Sequence, residues 1–234
     1  MPQLFEQYRP KTWDQVVGQN KAIRQIRNLA KRGLGGRAFW ISGKTGTGKT
    51  TIARLLADEI AEEWTTVEID SAEFTPKAIV DAERRMRCFG MGEKNGHALI
   101  VNEAHGLRKD AIKQLLVTLE RPEHPIPEHV VWIFTTTLEG QQSLFDEQID
   151  AHPLLSRCQE VKLTKNGLKK AFARRCREIA IAEELCDCVD DEAADLLRYE
   201  MLAEECKCNM RQMLQKIEGG EMTTDDLSFE EMFT

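Results

Sequence analysis

The stretch Gly43-Lys44-Thr45-Gly46-Thr47-Gly48-Lys49-Thr50 constrains this 234-residue chain more than any other. It fits the pattern G-x-x-x-x-G-K-[ST]. RAFWISG (37–43), an apolar strand-like run, leads into it, and TIARLLADEIAEE, which reads as a helix, follows it. The residue types follow from the chemistry. Glycines let backbone N–H groups turn inward around phosphate oxygens, and the helix N-terminus adds partial positive charge. Lys49 is placed to reach the β and γ phosphates, and the Thr50 hydroxyl to ligate magnesium. A strand, a phosphate-binding loop and a helix in that order point to an α/β architecture.

The rest of the chain continues the alternation. Ala22, Ile23, Ile26, Leu29 and Ala30 make a helical stripe after a candidate Asn20 cap. WTTVEID (64–70) reads as a second strand, and a helix over 76–87 follows with Pro76 in its first turn, where a missing N–H costs little. HALIVNE (97–103), HVVWIFTTT (129–137) and CQEVKL (158–163) are strand-like, with a helix over 110–120 between the first two. Strands alternating with helices predict a parallel sheet flanked by helices. Beyond Leu163 the pattern is wholly helical, over about 166–183, 190–204 and 209–218. The expected organisation is a nucleotide-binding core (1–163), a small all-helical domain (164–218) and an acidic tail (219–234).

Charge and cysteine usage exclude several classes. Apolar residues make up 41% and charged residues 30%, an ordinary balance for a globular protein. No apolar stretch approaches the roughly 20 residues of a membrane span, and the N-terminus lacks a basic-then-apolar signal pattern. A cytoplasmic protein with no membrane partner is expected, its seven cysteines reduced. Of the net charge of −7, five acids fall in the tail, leaving 32 bases against 34 acids elsewhere. Any nucleic-acid site must therefore be a local patch. Lys77, Arg84, Arg85 and Arg87 are the candidate patch, with a solvated helix face as the alternative. Cys186-x-Cys188 and Cys206-x-Cys208 match zinc-ligand spacing poorly and read better as small buried residues.

Taken together, the motifs resemble the clamp-loader branch of the AAA+ ATPases, as in bacterial DNA polymerase III gamma-type subunits and the small subunits of replication factor C. The resemblance covers roughly residues 4–218. It implies an AAA+ core with a helical lid domain, ATP and Mg2+ as ligands, and assembly with other AAA+ subunits. It also implies action on DNA and a sliding clamp in replication or repair. In LFEQYRPKTWDQVVGQNKAI, Tyr8-Arg9-Pro10 and Val17-Gly18-Gln19 are similar to the segment forming the family's adenine pocket. The phosphate loop, Gly43 to Thr50 with Thr51, would hold the phosphates. IFTTT resembles the sensor 1 strand, placing Thr137 near the γ-phosphate. Within HPLLSRC (152–158), Arg157 corresponds to an arginine finger supplied in trans. CNMRQ (208–212) resembles sensor 2, with Arg211 contacting phosphate.

Four departures qualify the resemblance. Asn102 stands where the family carries an aspartate that steadies magnesium, often through water. Residues 138–155 are longer than the family pattern and partly acidic. The cysteine-rich zinc insert is missing after the second strand, and the sequence ends where the collar domain would begin. Glu103, which would orient the attacking water, is present. The expectation is an ATPase whose turnover is slowed by Asn102. Two alternatives are an ATP-binding switch subunit with little hydrolysis, and a remodeller of another client such as a helicase loader or junction motor.

Overall fold

The computed structural model describes residues 2–120, 125–137, 141–142, 144, 151–187 and 192–223. Five strands form one sheet: β1 (Arg37–Ser42), β2 (Ala61–Asp70), β3 (Gly96–Asn102), β4 (Val130–Thr136) and β5 (Gln159–Lys162). Their order is β2-β3-β4-β1-β5, and every neighbouring pair is parallel. Near-continuous apolar sequence in β1, β3 and β4 suits strands buried on both faces, and β4 is buried along its whole length. On one face Trp40, Leu99, Val101, Trp132 and Phe134 pack with Phe74 and with Ile112 and Leu115 of helix α5 (Lys109–Glu120). Helix α3 (Lys49–Asp58) lies against the sheet and buries Ile52 and Leu56 completely. Each such large side chain contributes about 1.5–3 kcal/mol on full burial.

Packing divides the described chain into two compact units. One holds Lys11–Trp13 and Gln19–Thr164, and so the whole sheet. The other holds the described residues up to Pro10, Asp14–Gly18 and those from Lys165 onward. Its core joins Leu4 of α1 (Leu4–Gln7) to Phe172, Cys176, Ile179, Tyr199, Leu202, Met213 and Ile217. Where the sequence alone places all of 1–163 in one body, the first residues instead pack with the helices, because Leu4 is buried there and Phe5, Tyr8 and Val17 lie against the same cluster. The polar anchor of this unit is Asp195, 3% exposed, which accepts a 2.6 Å bond from Arg177 Nε.

Local chemistry explains where elements begin. The α4 helix (Pro76–Arg85) starts at Thr75, whose side chain accepts from the Ala78 N–H, with Pro76 in the first turn as expected. Asn20 does not cap the α2 helix (Asn20–Ala30): it is the first helical residue, and Gln19 precedes it in a left-handed conformation without a side-chain cap bond. Ala61, Glu62 and Glu63, helix formers by composition, are strand residues. Ala61 pairs with Gly96, and a register irregularity before Thr66 is held by reciprocal Glu62–Thr65 bonds. Sheet pairing overrides propensity there. The α6 helix (Ala151–Ser156), which the sequence pattern did not announce, leads directly into Arg157.

Candidate nucleotide-binding site

The loop from Gly43 to Thr50 joins the end of β1 to the start of α3. Gly46 and Gly48 have φ of 78° and 92°, the left-handed region that aims successive N–H groups inward. Gly43 is packed so closely that a Cβ there would lie 2.8 Å from Thr47 Oγ1 and 2.9 Å from Leu163 Cβ. Lys49 is 92% buried, and its Nζ donates to the carbonyls of Gly43 (3.1 Å) and Lys44 (3.3 Å) inside the loop's curl. Thr47 Oγ1 donates to the Lys44 carbonyl, while Lys44 and Thr45 side chains are exposed. Thr50 and Thr51, partly buried, sit in the first turn of α3. Gln19 braces the loop from outside. Its Nε2 donates to the carbonyls of Thr47 (3.3 Å) and Thr164 (2.8 Å), and its Oε1 accepts from the Thr164 N–H.

The same end of the sheet delivers the polar residues of β3 and β4. Asn102 closes β3, and its side chain is engaged at both ends: Thr135 Oγ1 donates to Oδ1 at 2.8 Å, and Nδ2 donates to Glu68 Oε1 at 2.6 Å. A carboxylate can only accept, so the amide must present its N–H group to Glu68 and its oxygen to Thr135. Glu68, on β2, also forms a 2.9 Å ion pair with Arg54 of α3. Glu103 follows in a left-handed conformation (φ 50°) that turns its exposed side chain out of the strand line. His105 Nδ1 lies 3.3 Å from Glu103 Oε2 and 3.3 Å from Thr136 Oγ1, linking the ends of β3 and β4. Thr137 is the partly buried residue just past β4.

Arg157 is held within its own unit. It makes a close ion pair with Glu120, the last residue of α5, and its Nη1 donates to the Pro153 carbonyl at 2.6 Å. In the helical unit, Tyr8 donates to Glu183 Oε1 at 2.5 Å, and this bond holds the phenol above its usual range. Arg9 pairs with Glu6, beside Pro10. Val17 packs on the helical core. Gly18 has φ of 73°, which favours glycine, and a Cβ there would stand 2.2 Å from Leu168 Cδ2, so the leucine side chain would have to shift. Arg211 lies over the Phe5 ring, 4.9 Å from its centroid. Lys77, Arg84, Arg85 and Arg87 are all exposed.

The donor set suits a nucleoside triphosphate with a hard divalent cation. It offers inward amides, a buried ammonium and oxygen groups at Thr50, Asn102 and Glu68. Among the described residues no group of three or more His, Cys, Asp or Glu side chains is arranged as a metal site of its own. Cys188 lies outside the described residues, and Cys206 is buried with its thiol pushed up mainly by desolvation.

Sheet order and loop together define a phosphate-loop nucleotide-binding fold. The chain belongs to the AAA family, "ATPase family associated with various cellular activities", whose model matches residues 39–163, more than half of the sequence. It is 28% identical over 204 residues to DNA polymerase III subunit tau of Bacillus subtilis (strain 168), covering 78% of this chain and 34% of that protein. It is also 28% identical over 192 residues to DNA polymerase III subunit gamma of Buchnera aphidicola subsp. Baizongia pistaciae, covering 73% and 49%. The chain thus spans a third to a half of the length of these relatives. In fold it resembles the Thermotoga maritima RuvB Holliday junction branch migration motor, with a TM-score of 0.66 at 17% identity, over 90% of this chain and 64% of that one. No helix among the described residues is long and apolar enough to cross a membrane.

Proposed function

We propose that this protein binds ATP with Mg2+ in the Gly43–Thr50 loop and hydrolyses it in an assembly with other AAA+ subunits, acting on DNA and a sliding clamp. One observation carries the reading: the phosphate loop, Glu103 after β3 and Thr137 after β4 all stand at the same end of one parallel sheet. In this mechanism Lys49 and the loop amides bind the phosphates and position the γ-phosphoryl group. Glu103 orients the attacking water, and Thr137 holds the γ-phosphate side of the site. Magnesium, when bound, would rest on Thr50 and neutralise phosphate charge. Arg157 of a neighbouring protomer supplies transition-state charge stabilisation, worth roughly a thousandfold or more in rate. Arg211 takes the phosphate-sensing role that the resemblance implies, and Tyr8, Arg9, Pro10, Val17 and Gly18 the adenine-side role.

The test is ATPase activity against protein concentration. The rate per protomer should rise through the assembly range, and Arg157→Ala should flatten that rise. A wild-type rate independent of concentration, or an Arg157→Ala variant indistinguishable from it, would refute the trans finger. Asn102, neutral and committed to Thr135 and Glu68, favours one other reading, an ATP-dependent switch with negligible turnover. Single-turnover hydrolysis with and without DNA separates the two.

A further inference from the structure

Three facts converge on one side chain. Asn102 brings no negative charge to the end of β3. Glu68, from the neighbouring strand, sets a carboxylate oxygen 2.6 Å from the Asn102 amide nitrogen. The other oxygen of Glu68 is 2.9 Å from Arg54 Nε, and Arg54 lies four residues after Thr50 on α3, on the same helical face as the hydroxyl that would meet magnesium. Parity along the sheet agrees. Leu99 and Val101 point to the opposite face, into the cluster with Trp40 and Phe134. Ile100 and Asn102 therefore face α3, and Glu68, in register with Ile100, shares that side.

We infer that Glu68 supplies the anionic charge of the magnesium site that Asn102 does not, so that the carboxylate has moved one strand along the sheet. The role assigned to Asn102 changes accordingly. Its amide positions Glu68 by donating to it, and it is itself held by Thr135. When the cation is bound, Glu68 would supply negative charge near it as a positioning group, held by Asn102 and Arg54. Removing such an outer partner typically weakens metal affinity 10- to 100-fold. The inference rests on the nucleotide-binding reading given above.

The test measures binding, not turnover. A fluorescent ADP (N-methylanthraniloyl-ADP) is titrated onto the full chain in EDTA and across a MgCl2 series, with Mn2+ electron paramagnetic resonance as a second readout. For Glu68→Gln we expect metal-free nucleotide affinity within twofold of wild type. The Mg2+ concentration that half-saturates its enhancement of binding should rise at least tenfold, with a matching loss of bound Mn2+. Arg54→Gln, which removes a competing cation from Glu68, should leave that concentration unchanged or lower it. Asp70→Asn, adjacent in register to Asn102, should leave it unchanged.

Unaltered Mg2+ dependence in Glu68→Gln would overturn the inference, leaving the residue with only its structural contacts to Arg54 and Asn102. An equal weakening in Arg54→Gln would overturn it as well, because the network would then act by support alone. A larger loss in Asp70→Asn would move the charge to that residue. Failure of the wild type to bind the nucleotide at all would sink the nucleotide-binding reading itself.

Discussion

Asn102→Asp is the sharpest perturbation of this site. It restores the family residue but places a second carboxylate where an amide now donates to Glu68 at 2.6 Å. With charge centres about 4 Å apart, the repulsion is about 1 kcal/mol at the dielectric of water and about 4 kcal/mol at an effective dielectric of 20. Glu68 is 27% exposed in its side chain, so a value near the middle applies, and a hydrogen bond to a charged group is lost besides. The expected cost without metal is about 3 kcal/mol, or roughly 6–12 °C in Tm for a chain of this size.

The pH dependence follows from sign. The neighbouring carboxylate raises the proton affinity of the introduced group in the folded state. The cost is therefore full at neutral pH, fades as pH falls through the raised folded-state value, and is gone below the ordinary carboxylate value of about 4. Thermal unfolding in EDTA at pH 7 and pH 5 measures both. Adding Glu68→Gln, which can donate to the new carboxylate, should recover most of the deficit. Mg2+ with nucleotide should stabilise Asn102→Asp more than wild type, and lower the Mg2+ needed for turnover. A single variant within 1 °C of wild type in EDTA, or a deficit undiminished in the double variant, would refute the reasoning.

Other outcomes follow from the same structure. Lys49→Ala should abolish nucleotide binding by equilibrium titration while leaving the fold intact by circular dichroism, because only the buried ammonium is lost from the loop. Asp195→Ala should cost about 3 kcal/mol in chemical denaturation, since it leaves the Arg177 charge without its buried partner. Burial pushes the thiols of Cys158 and Cys176 up to about 12, so at pH 8 iodoacetamide should alkylate exposed Cys88 first and spare those two until unfolding, by mass spectrometry. The same raised values mean that stability holds below pH 9, the ordinary thiol value, and declines as pH climbs from 9 towards 12. Gln19→Ala should weaken nucleotide binding several-fold without unfolding the chain, by loosening Thr47.

The sheet was legible because its strands carry their own signal. ALIV in β3 and VVWIF in β4 are apolar runs too short for helices and end in polar residues at one edge. The phosphate loop was legible because its chemistry is local, eight residues holding everything it needs. The identity of residue 102 could be read, but not its surroundings. Glu68 lies 34 positions earlier, and only the β2–β3 register sets the two side by side. Gln19 shows the same limit. The resemblance grouped it with the adenine-side residues, whereas the fold uses its amide to hold Thr47 and to reach Thr164, 145 positions away from Gln19. The misread segment 61–63 failed for a different reason: Ala-Glu-Glu favours helix locally, and a pairing with Gly96 outweighs that preference. His105 carried no usable signal, because its neighbours Glu103 and Thr136 meet only through the sheet.

Arg157 has a consequence for how the subunits of an assembly would recognise one another. A guanidinium already paired with Glu120 and the Pro153 carbonyl must give up those partners to serve a neighbour's nucleotide. Docking is then an exchange of one ion pair for another, with little net change in the number of paired charges. Added salt weakens both sides of such an exchange, so subunit affinity should respond to ionic strength far less than an unpaired finger would make it. If Arg157 serves as the proposed finger, a neighbour's phosphate, with more charge than Glu120, would have to win the arginine, and its loss on product release would return the arginine to Glu120. In that reading Glu120 would act as a competitor that sets how much nucleotide charge a neighbour must display before the joint is made.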